Sequence, residues 1–420
     1  RFSPAGAQGR RKEVKCLKSM RLRASAGGPQ IYQPLMNPIR PREPTEVWIT
    51  NMAVVSALGD HMEETWEQLL QARTAIRPVE RFDVQGCTSR VAACIPDLMP
   101  TQDHSMLRGL VSRLAPALGP VPSDACLITA TAKAGIDMLE QHKYGRAYDA
   151  GDILPSSLAR MASRTFGVRN QGMTISAACA SSTIAVSHAC ARILSGKSEV
   201  VLVCCADLVT RFVFSGFSAL GALSPGPCRP FDRNRSGLSL GEGAAALVLM
   251  GRNRAQREGI RPLGRVCGWG TASDAFHVTA PDPEGSGLIR AINLALKRAG
   301  LRAGDLCAMC AHGTGTIAND AMELKAFAHC FGHPGDDWPW VYSVKGAIGH
   351  TLGAAGGIEV ALGLKALEQQ MAPPTAGLSE PAPGADRITA QAVPIAGEYL
   401  LTSNSGFGGI NAAIVLKRGN

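Results

Sequence analysis

Aromatic residues are scarce, at 5% of 420 positions. No apolar run reaches the roughly 18 residues that a bilayer-spanning helix needs, so the chain reads as soluble. Acidic residues are nearly missing from the first 46 positions, which hold three of them against ten Lys/Arg. That segment therefore carries +7 of the net charge of +9, and the other 374 residues carry +2. A body so nearly balanced does not support nucleic-acid binding by the fold. The basic head also lacks the apolar stretch of a secretory signal and any periodic apolar pattern. Residues 1–45 read as a disordered extension, with a composition that an organelle transit peptide also shows. A cysteine pairing scheme is absent as well. The thirteen cysteines are odd in number and scattered through apolar runs, such as Cys204 and Cys205 in VVLVCCADL. That excludes a disulfide framework and points to a reducing, cytoplasmic setting. Cys307 and Cys310 form one C-x-x-C, but no second pair at zinc spacing follows. LCAMCAHG accordingly reads as a buried strand, and no metal is expected.

What is present is a large apolar fraction, 45%, with 46 glycines. That suits one big α/β unit with tightly packed helices. Strand-like runs alternate with helix-like runs along the chain. EVWITNMAVVSALG, DACLITATAKAG, QGMTISAA, VVLVCCADL and GAAALVLMG read as strands, with helices such as HMEETWEQLLQAR and SSTIAVSHACARILSG between them. A second series repeats the layout. Its strands are PLGRVCGWGTAS, DLCAMCAHGTGT, WVYSVKGAIGH and the closing YLLTSNSGFGGINAAIVLKRG. Its helices include SGLIRAINLALKRAG, NDAMELKAFAHCFG and GGIEVALGLKALEQQ. Such alternation implies a parallel or mixed sheet covered on both faces. The likeness of the two series predicts two halves, 46–255 and 256–420. The helices that follow Cys179 and His350 are rich in small residues and are expected to lie against each other at the centre.

Cys179 follows a strand and opens a helix. The positive end of the helix dipole there is expected to lower the thiol pKa and favour a nucleophile. His312 in AHGTGT and His350 in KGAIGHTLGAAGG both follow apolar strands and are flanked by glycines, which let backbone and ligand approach closely. Thr314 and Thr316 add hydroxyls beside His312. A cysteine with two loop histidines is a residue set for nucleophilic acyl chemistry.

The motifs AACASS, AHGTGT…DAMEL, SVKGAIGHTLGAAGG and SNSGFGG resemble those of β-ketoacyl-acyl-carrier-protein synthases. RPFDRNRSGLSLGEGAAALVL and SDAFHVTAPDPEGSG also resemble that family, and the resemblance spans 46–420 in the family's order. It implies an α/β thiolase-like fold, with two pseudo-repeated βαβαβαββ halves in a five-layered αβαβα core. It also implies a dimer, either of one chain or with a second ketosynthase-like chain. Cys179 would carry the acyl group, and His312 and His350 would serve decarboxylative condensation with malonyl-acyl-carrier protein. Lys345 would support the second histidine, with Glu323 as its acidic partner. Thr314, Thr316, His277 and Thr279 would hold the phosphopantetheine arm, and Ser405, Gly406 and Phe407 would form the oxyanion and gate loop. Asp232 and Glu242 would hold the junction of the halves. The only partner implied besides a second such chain is the acyl carrier protein, and no cofactor is implied.

Two departures bear on the substrate. Ser405 stands where the family's elongation enzymes usually carry a phenylalanine that gates the acyl pocket. The stretch between Cys94 and Cys179 is also shorter than in typical fatty-acid enzymes. Both point toward a polyketide, polyene or other specialised product. Because carrier protein is acidic, Arg108, Arg113, Arg160 and Arg164 are expected to form a basic patch at the pocket mouth. A non-catalytic or chain-length-determining partner subunit is the alternative, disfavoured because Cys179, His312, His350 and Lys345 are all kept.

Overall fold

The computed structural model describes residues 46–101, 103–143, 150–169, 172–332 and 338–419, so the extension expected over 1–45 lies outside the described residues. Ten strands form one mixed sheet. In chain order they are β1 Val47–Ser56, β2 Cys126–Ala130, β3 Met173–Ile175, β4 Val200–Asp207, β5 Gly243–Gly251, β6 Gly264–Ser273, β7 Leu306–Cys310, β8 Trp340–Tyr342, β9 Tyr399–Gly406 and β10 Ile410–Arg418. Their spatial order is β3-β2-β4-β5-β1-β6-β10-β9-β7-β8.

Counted inward from its own edge, each half runs third, second, fourth, fifth, first strand. The pairing sense repeats too. β2 pairs parallel with β3 and β4, as β7 does with β8 and β9, and the inner pairs of both halves are antiparallel. The halves join where Val47–Ile49 of β1 pairs antiparallel with Gly264–Val266 of β6. Strands β4 and β5, and most of β1 and β10, are buried on both faces, which is why they read as continuous apolar runs, whereas the inner strand β6 alternates buried and half-buried residues.

Period-two alternation then divides each strand between two cores. In β4, Val201, Val203 and Cys205 face the central core, while Val200, Leu202 and Cys204 face an outer one. The adjacent cysteines thus lie on opposite sides of the sheet. The central core is filled by helix α1 (Ser181–Leu194) and helix α2 (Ala355–Gln369). Twelve of the fifteen α2 residues are buried, as a middle layer requires. The two helices do lie against each other. The Gly357 N–H donates to Ser182 Oγ at 2.9 Å, and a Cβ on Gly356 would stand 1.9 Å from Thr183 Oγ1. Outer cores built on Leu107, Leu158 and Phe166, and on Leu288, Ile292 and Phe327, complete five layers.

Two local expectations change. WVYSVKGAIGH is a three-residue strand followed by a short helix, Lys345–Ile348. A Cβ on Gly346 would meet the Ala376 carbonyl oxygen at 1.8 Å, so this turn is wedged against backbone. RVAACIPDL, which the sequence suggests as a short strand, pairs Val91–Ala92 with Arg77–Pro78 and bridges Ala93 to Gly241.

Candidate active site

Cys179 sits in the connection between β3 and α1. Ala178 before it has φ 49°, a left-handed conformation costing an alanine on the order of 1–2 kcal/mol. Ser181 holds the turn, donating to the Ala178 carbonyl at 2.6 Å and accepting from the Ala177 N–H at 2.8 Å. The turn places Cys179 Sγ 2.9 Å from His350 Nε2.

His350 is anchored by its backbone. Its N–H donates to the Ser239 carbonyl at 2.7 Å, and its own carbonyl accepts from Gly241 at 3.0 Å. The Leu352 N–H donates to His350 Nδ1 at 3.3 Å, so the ring proton resides on Nε2 and points at the sulfur. The His312 ring packs edge-on against His350 with centroids 5.1 Å apart. The three donor atoms of Cys179, His312 and His350 lie within 4.8 Å of one another. That is the one grouping of His, Cys, Asp and Glu among the described residues that a soft metal ion could bridge, and such an ion would occupy the Cys179 sulfur.

Charge is arranged behind this trio rather than within it. Lys345 Nζ meets Glu359 Oε1 at 2.5 Å, both side chains being buried. Burial opposes the Lys345 charge, but Glu359 more than offsets it and keeps the ammonium firmly protonated. Glu323, expected as the lysine's partner, has a different role. Its carboxylate accepts the His312 and Gly313 backbone N–H groups at 2.7 and 2.6 Å and fixes the loop that carries His312. Burial, then neighbouring Asp320, pushes Glu323 up to about 8. Glu359 was not singled out in the sequence. Its signal was a lone acid in the small-residue helix GGIEVALGL.

Asn404 was also overlooked. Thr183 Oγ1 donates to Asn404 Oδ1, and Asn404 Nδ2 donates to Glu359 Oε2 at 2.7 Å. These partners orient the amide so that its NH2 lies 3.4 Å from His312 Nδ1. Nδ1 is thereby the acceptor, and the proton of His312 resides on Nε2 as well.

The helix-dipole expectation for Cys179 is corrected. Burial pushes the thiol up to about 12, and Lys345 only partly opposes it. Burial, then Lys345, holds both histidines well below their usual value, with His350 adding to the effect on His312. The resting trio is thus a thiol beside two neutral imidazoles. A buried site of this kind favours groups that donate hydrogen bonds without carrying charge.

Cys179, His312 and His350 line a cavity of about 330 Å³, together with Thr279, Thr314, Thr316, Ser405, Gly406 and Phe407. The Phe407 backbone N–H lies near enough to the Cys179 sulfur to favour its charged form slightly. A Cβ on Gly406 would stand 3.1 Å from the Cys179 nitrogen, so the loop presses directly on the turn that carries Cys179. Thr314 and Thr316 share a 2.9 Å hydroxyl contact at the start of helix Ile317–Phe331.

His277 is not among the lining residues. It is exposed, and its Nδ1 accepts the Thr279 and Ala280 N–H groups at 3.1 and 3.2 Å, shaping the turn that presents Thr279. Nor does the basic patch form at the cavity. Arg108 and Arg160 both pair with Asp152, Arg113 pairs with Asp60 and Asp97, and none of these or Arg164 lines it. Asp232 accepts N–H groups of Ser379 and Glu380 at 2.8 Å each, tying the halves together. Glu242 instead pairs with Arg81 at 2.7 Å and stays within the first half. Cys307 donates to the Tyr399 carbonyl and Cys310 is buried in β7, as a strand reading requires.

Two five-stranded halves of matching order, sandwiching helices and a Cys-His-His trio, define a condensing enzyme of the thiolase fold. The chain belongs to the β-ketoacyl synthase family. Residues 124–255 match "Beta-ketoacyl synthase, N-terminal domain", and residues 263–379 match "Beta-ketoacyl synthase, C-terminal domain". The chain is 32% identical over 417 residues to the tetracenomycin polyketide synthase ketoacyl synthase alpha subunit of Streptomyces glaucescens, covering 89% of this chain and 97% of that one. It is 28% identical over 409 residues to 3-oxoacyl-[acyl-carrier-protein] synthase 2 of Vibrio harveyi, covering 89% and 98%. Among solved structures, the ishigamide ketosynthase/chain length factor superposes with a TM-score of 0.81 at 30% identity, over 89% of this chain and 99% of that one. No described helix is long and apolar enough to cross a membrane.

Proposed function

We propose that this chain condenses an acyl group, held on Cys179, with a malonyl unit on acyl carrier protein to give a β-ketoacyl product. The observation that carries the assignment of residues is the 2.9 Å contact of Cys179 Sγ with a histidine Nε2 whose other nitrogen is already an acceptor. In the first step Cys179 sulfur attacks the acyl thioester carbonyl. The new S–C bond replaces the bond to the pantetheine sulfur, and the thiol proton leaves on the released pantetheine thiol. The His350 Nε2–H steadies negative charge on Cys179 sulfur as the proton departs, which offsets the burial that raises its pKa. The Phe407 N–H is placed to stabilise the tetrahedral oxyanion.

In the second step the malonyl C–CO2 bond breaks, and its electron pair moves onto the thioester as an enolate. His312 and His350, each donating from Nε2, stabilise the enolate oxygen. The enolate carbon then attacks the acyl-cysteine carbonyl, a C–C bond replaces the S–C bond, CO2 leaves the site, and the departing thiolate of Cys179 takes up one proton from solvent. Neutral imidazoles suit this step because they donate without drawing a counter-charge into the site.

Thr279, Thr314 and Thr316 line the approach a pantetheine arm would take. Residues 46–255 and 256–420 act as nucleophile half and histidine half. A dimer, with itself or with a second ketosynthase-like chain, and a cytoplasmic setting belong to this reading. Intact-protein mass spectrometry with acyl-pantetheine thioesters tests it. An acyl adduct forms on the wild-type chain and is lost in Cys179→Ala. An adduct that persists in Cys179→Ala removes Cys179 as the nucleophile.

A further inference from the structure

The cavity holds a second polar array that the condensation steps do not use. Ser405, Asn411 and Asp274 all line it. Ser405 and Asn411 are direct partners across β9 and β10, so their side chains share a face. The Ser405 hydroxyl donates to Asn411 Oδ1 at 2.7 Å. The Asn411 amide spends both its N–H groups elsewhere, on Asp274 Oδ1 at 2.8 Å and on the Gly409 carbonyl at 3.2 Å. Asp274 in turn accepts the Asp282 N–H on its other oxygen at 3.1 Å.

Every link therefore runs one way, from hydroxyl to amide to carboxylate. The amide cannot turn over without placing its oxygen against a carboxylate. Nor has it room to swing aside. A Cβ on Gly287 would stand 2.0 Å from Asp274 Oδ1 and 2.6 Å from Asn411 Nδ2, so the pair is wedged against the start of helix Ser286–Ala299. The proton of Ser405 is thus committed to Asn411, and what the hydroxyl has left to offer the cavity is lone pairs.

We propose that Ser405 is a specificity residue that accepts a hydrogen bond from a hydroxyl on the acyl chain. Chains bearing a hydroxyl near the thioester end then load onto Cys179 in preference to saturated chains of the same length. The inference rests on the condensing reading above. Its physical basis is an asymmetry. A saturated chain that fills the cavity covers the Ser405 oxygen and gives it no donor in place of water, whereas a hydroxyl restores one. The same lone pairs could instead take an amide N–H of the pantetheine arm, which every substrate carries.

The test is the rate of Cys179 acylation of the full chain, by time-resolved intact mass, with octanoyl-, 3-hydroxyoctanoyl- and 5-hydroxyoctanoyl-pantetheine. In the wild type at least one hydroxylated thioester loads faster than octanoyl. In Ser405→Ala that ratio falls about threefold to tenfold, the worth of one neutral hydrogen bond. Ser405→Thr, which keeps the oxygen, retains part of the preference. Because each ratio is taken within one protein, a general loss of folded enzyme cancels. A ratio unchanged in Ser405→Ala overturns the proposal, as does a common fall for all three thioesters, which assigns Ser405 to the arm. Adducts that form without any hydroxyl preference overturn this inference alone. No adduct on Cys179 from any thioester overturns the condensing reading and takes this one with it.

Discussion

The two halves share one strand order, yet their equivalent strand-to-helix connections do opposite things. In the first half β3 reaches α1 through residues 176–180, a short turn that stores backbone strain at Ala178 and delivers one side chain, Cys179. In the second half β8 reaches α2 through residues 343–354, a longer path with its own short helix. It delivers Lys345 and His350, and the helix it enters carries the buried Glu359. The scaffold is repeated, but the chemistry is divided between the copies. Each connection holds one non-glycine residue at positive φ, Ala178 in the first and Leu352 in the second, but the first presents only the Cys179 thiol. The other buries an ion pair and positions neutral donors around it.

This comparison can be broken at several points. Its sharpest test separates the two half-reactions. His350→Ala is expected to keep part of the acyl loading on Cys179 while lowering condensation on the order of a hundredfold to a thousandfold, as for loss of one oxyanion donor. Loading and product formation measured on the same preparation report it, and an equal loss of both would merge the roles assigned to the halves. Next comes the buried charge of the second half. Glu359→Ala leaves Lys345 unpaired, and such a deletion costs roughly 3–5 kcal/mol. A large fall in the urea midpoint is expected, whereas a midpoint near wild type would mean that the Lys345 ammonium does not depend on Glu359.

The third test uses pH. His312 and His350 are held well below their usual value by burial, so they stay neutral in the fold where the unfolded chain's histidines, with a pKa near 6.5, are protonated. The unfolded state then binds more protons, and stability drops as pH falls below about 6.5. Asp207 in the first half has the opposite sign. Burial raises it to about 6, so its contribution declines as pH rises toward that value. The wild-type curve sums these terms. The informative quantity is its difference from a His312→Gln, His350→Gln double variant, which is expected to lose less stability between about pH 6.5 and 5. Parallel curves would show that neither imidazole is held neutral by the fold. The smallest effect belongs to the strained turn. Ala178→Gly relieves the left-handed alanine and is expected to change stability by no more than about 1 kcal/mol, toward greater stability. A clear destabilisation in the same denaturation assay would show that the Ala178 methyl packs more than it strains.

The sequence carried more of the site than of the interactions around it. Cys179, His312 and His350 were legible because each sits at a strand end within glycine or small-residue context, and such punctuation is local. Glu323 was found for its place in the helix after His312, but its bonds to the His312 and Gly313 backbone were not legible. Glu359, Asn404, Asn411 and Asp274 went unmarked, since each has a partner in a distant segment. Arg108 and Arg113 failed for the same reason. A basic residue reads alike in sequence whether it faces solvent or, like Arg108, an acid 44 positions away.

By itself, then, the sequence determined the alternation of strands and helices, the doubled layout, the buried double-sided strands and the residue types of the Cys-His-His trio. These depend on period, composition and turn chemistry, which act over a few residues. Only the tertiary structure decided the protonation of those residues, the lysine's true partner and the polarity of the cavity wall. Burial and hydrogen-bond direction set all three, and both arise only when segments far apart in the chain close around the same space.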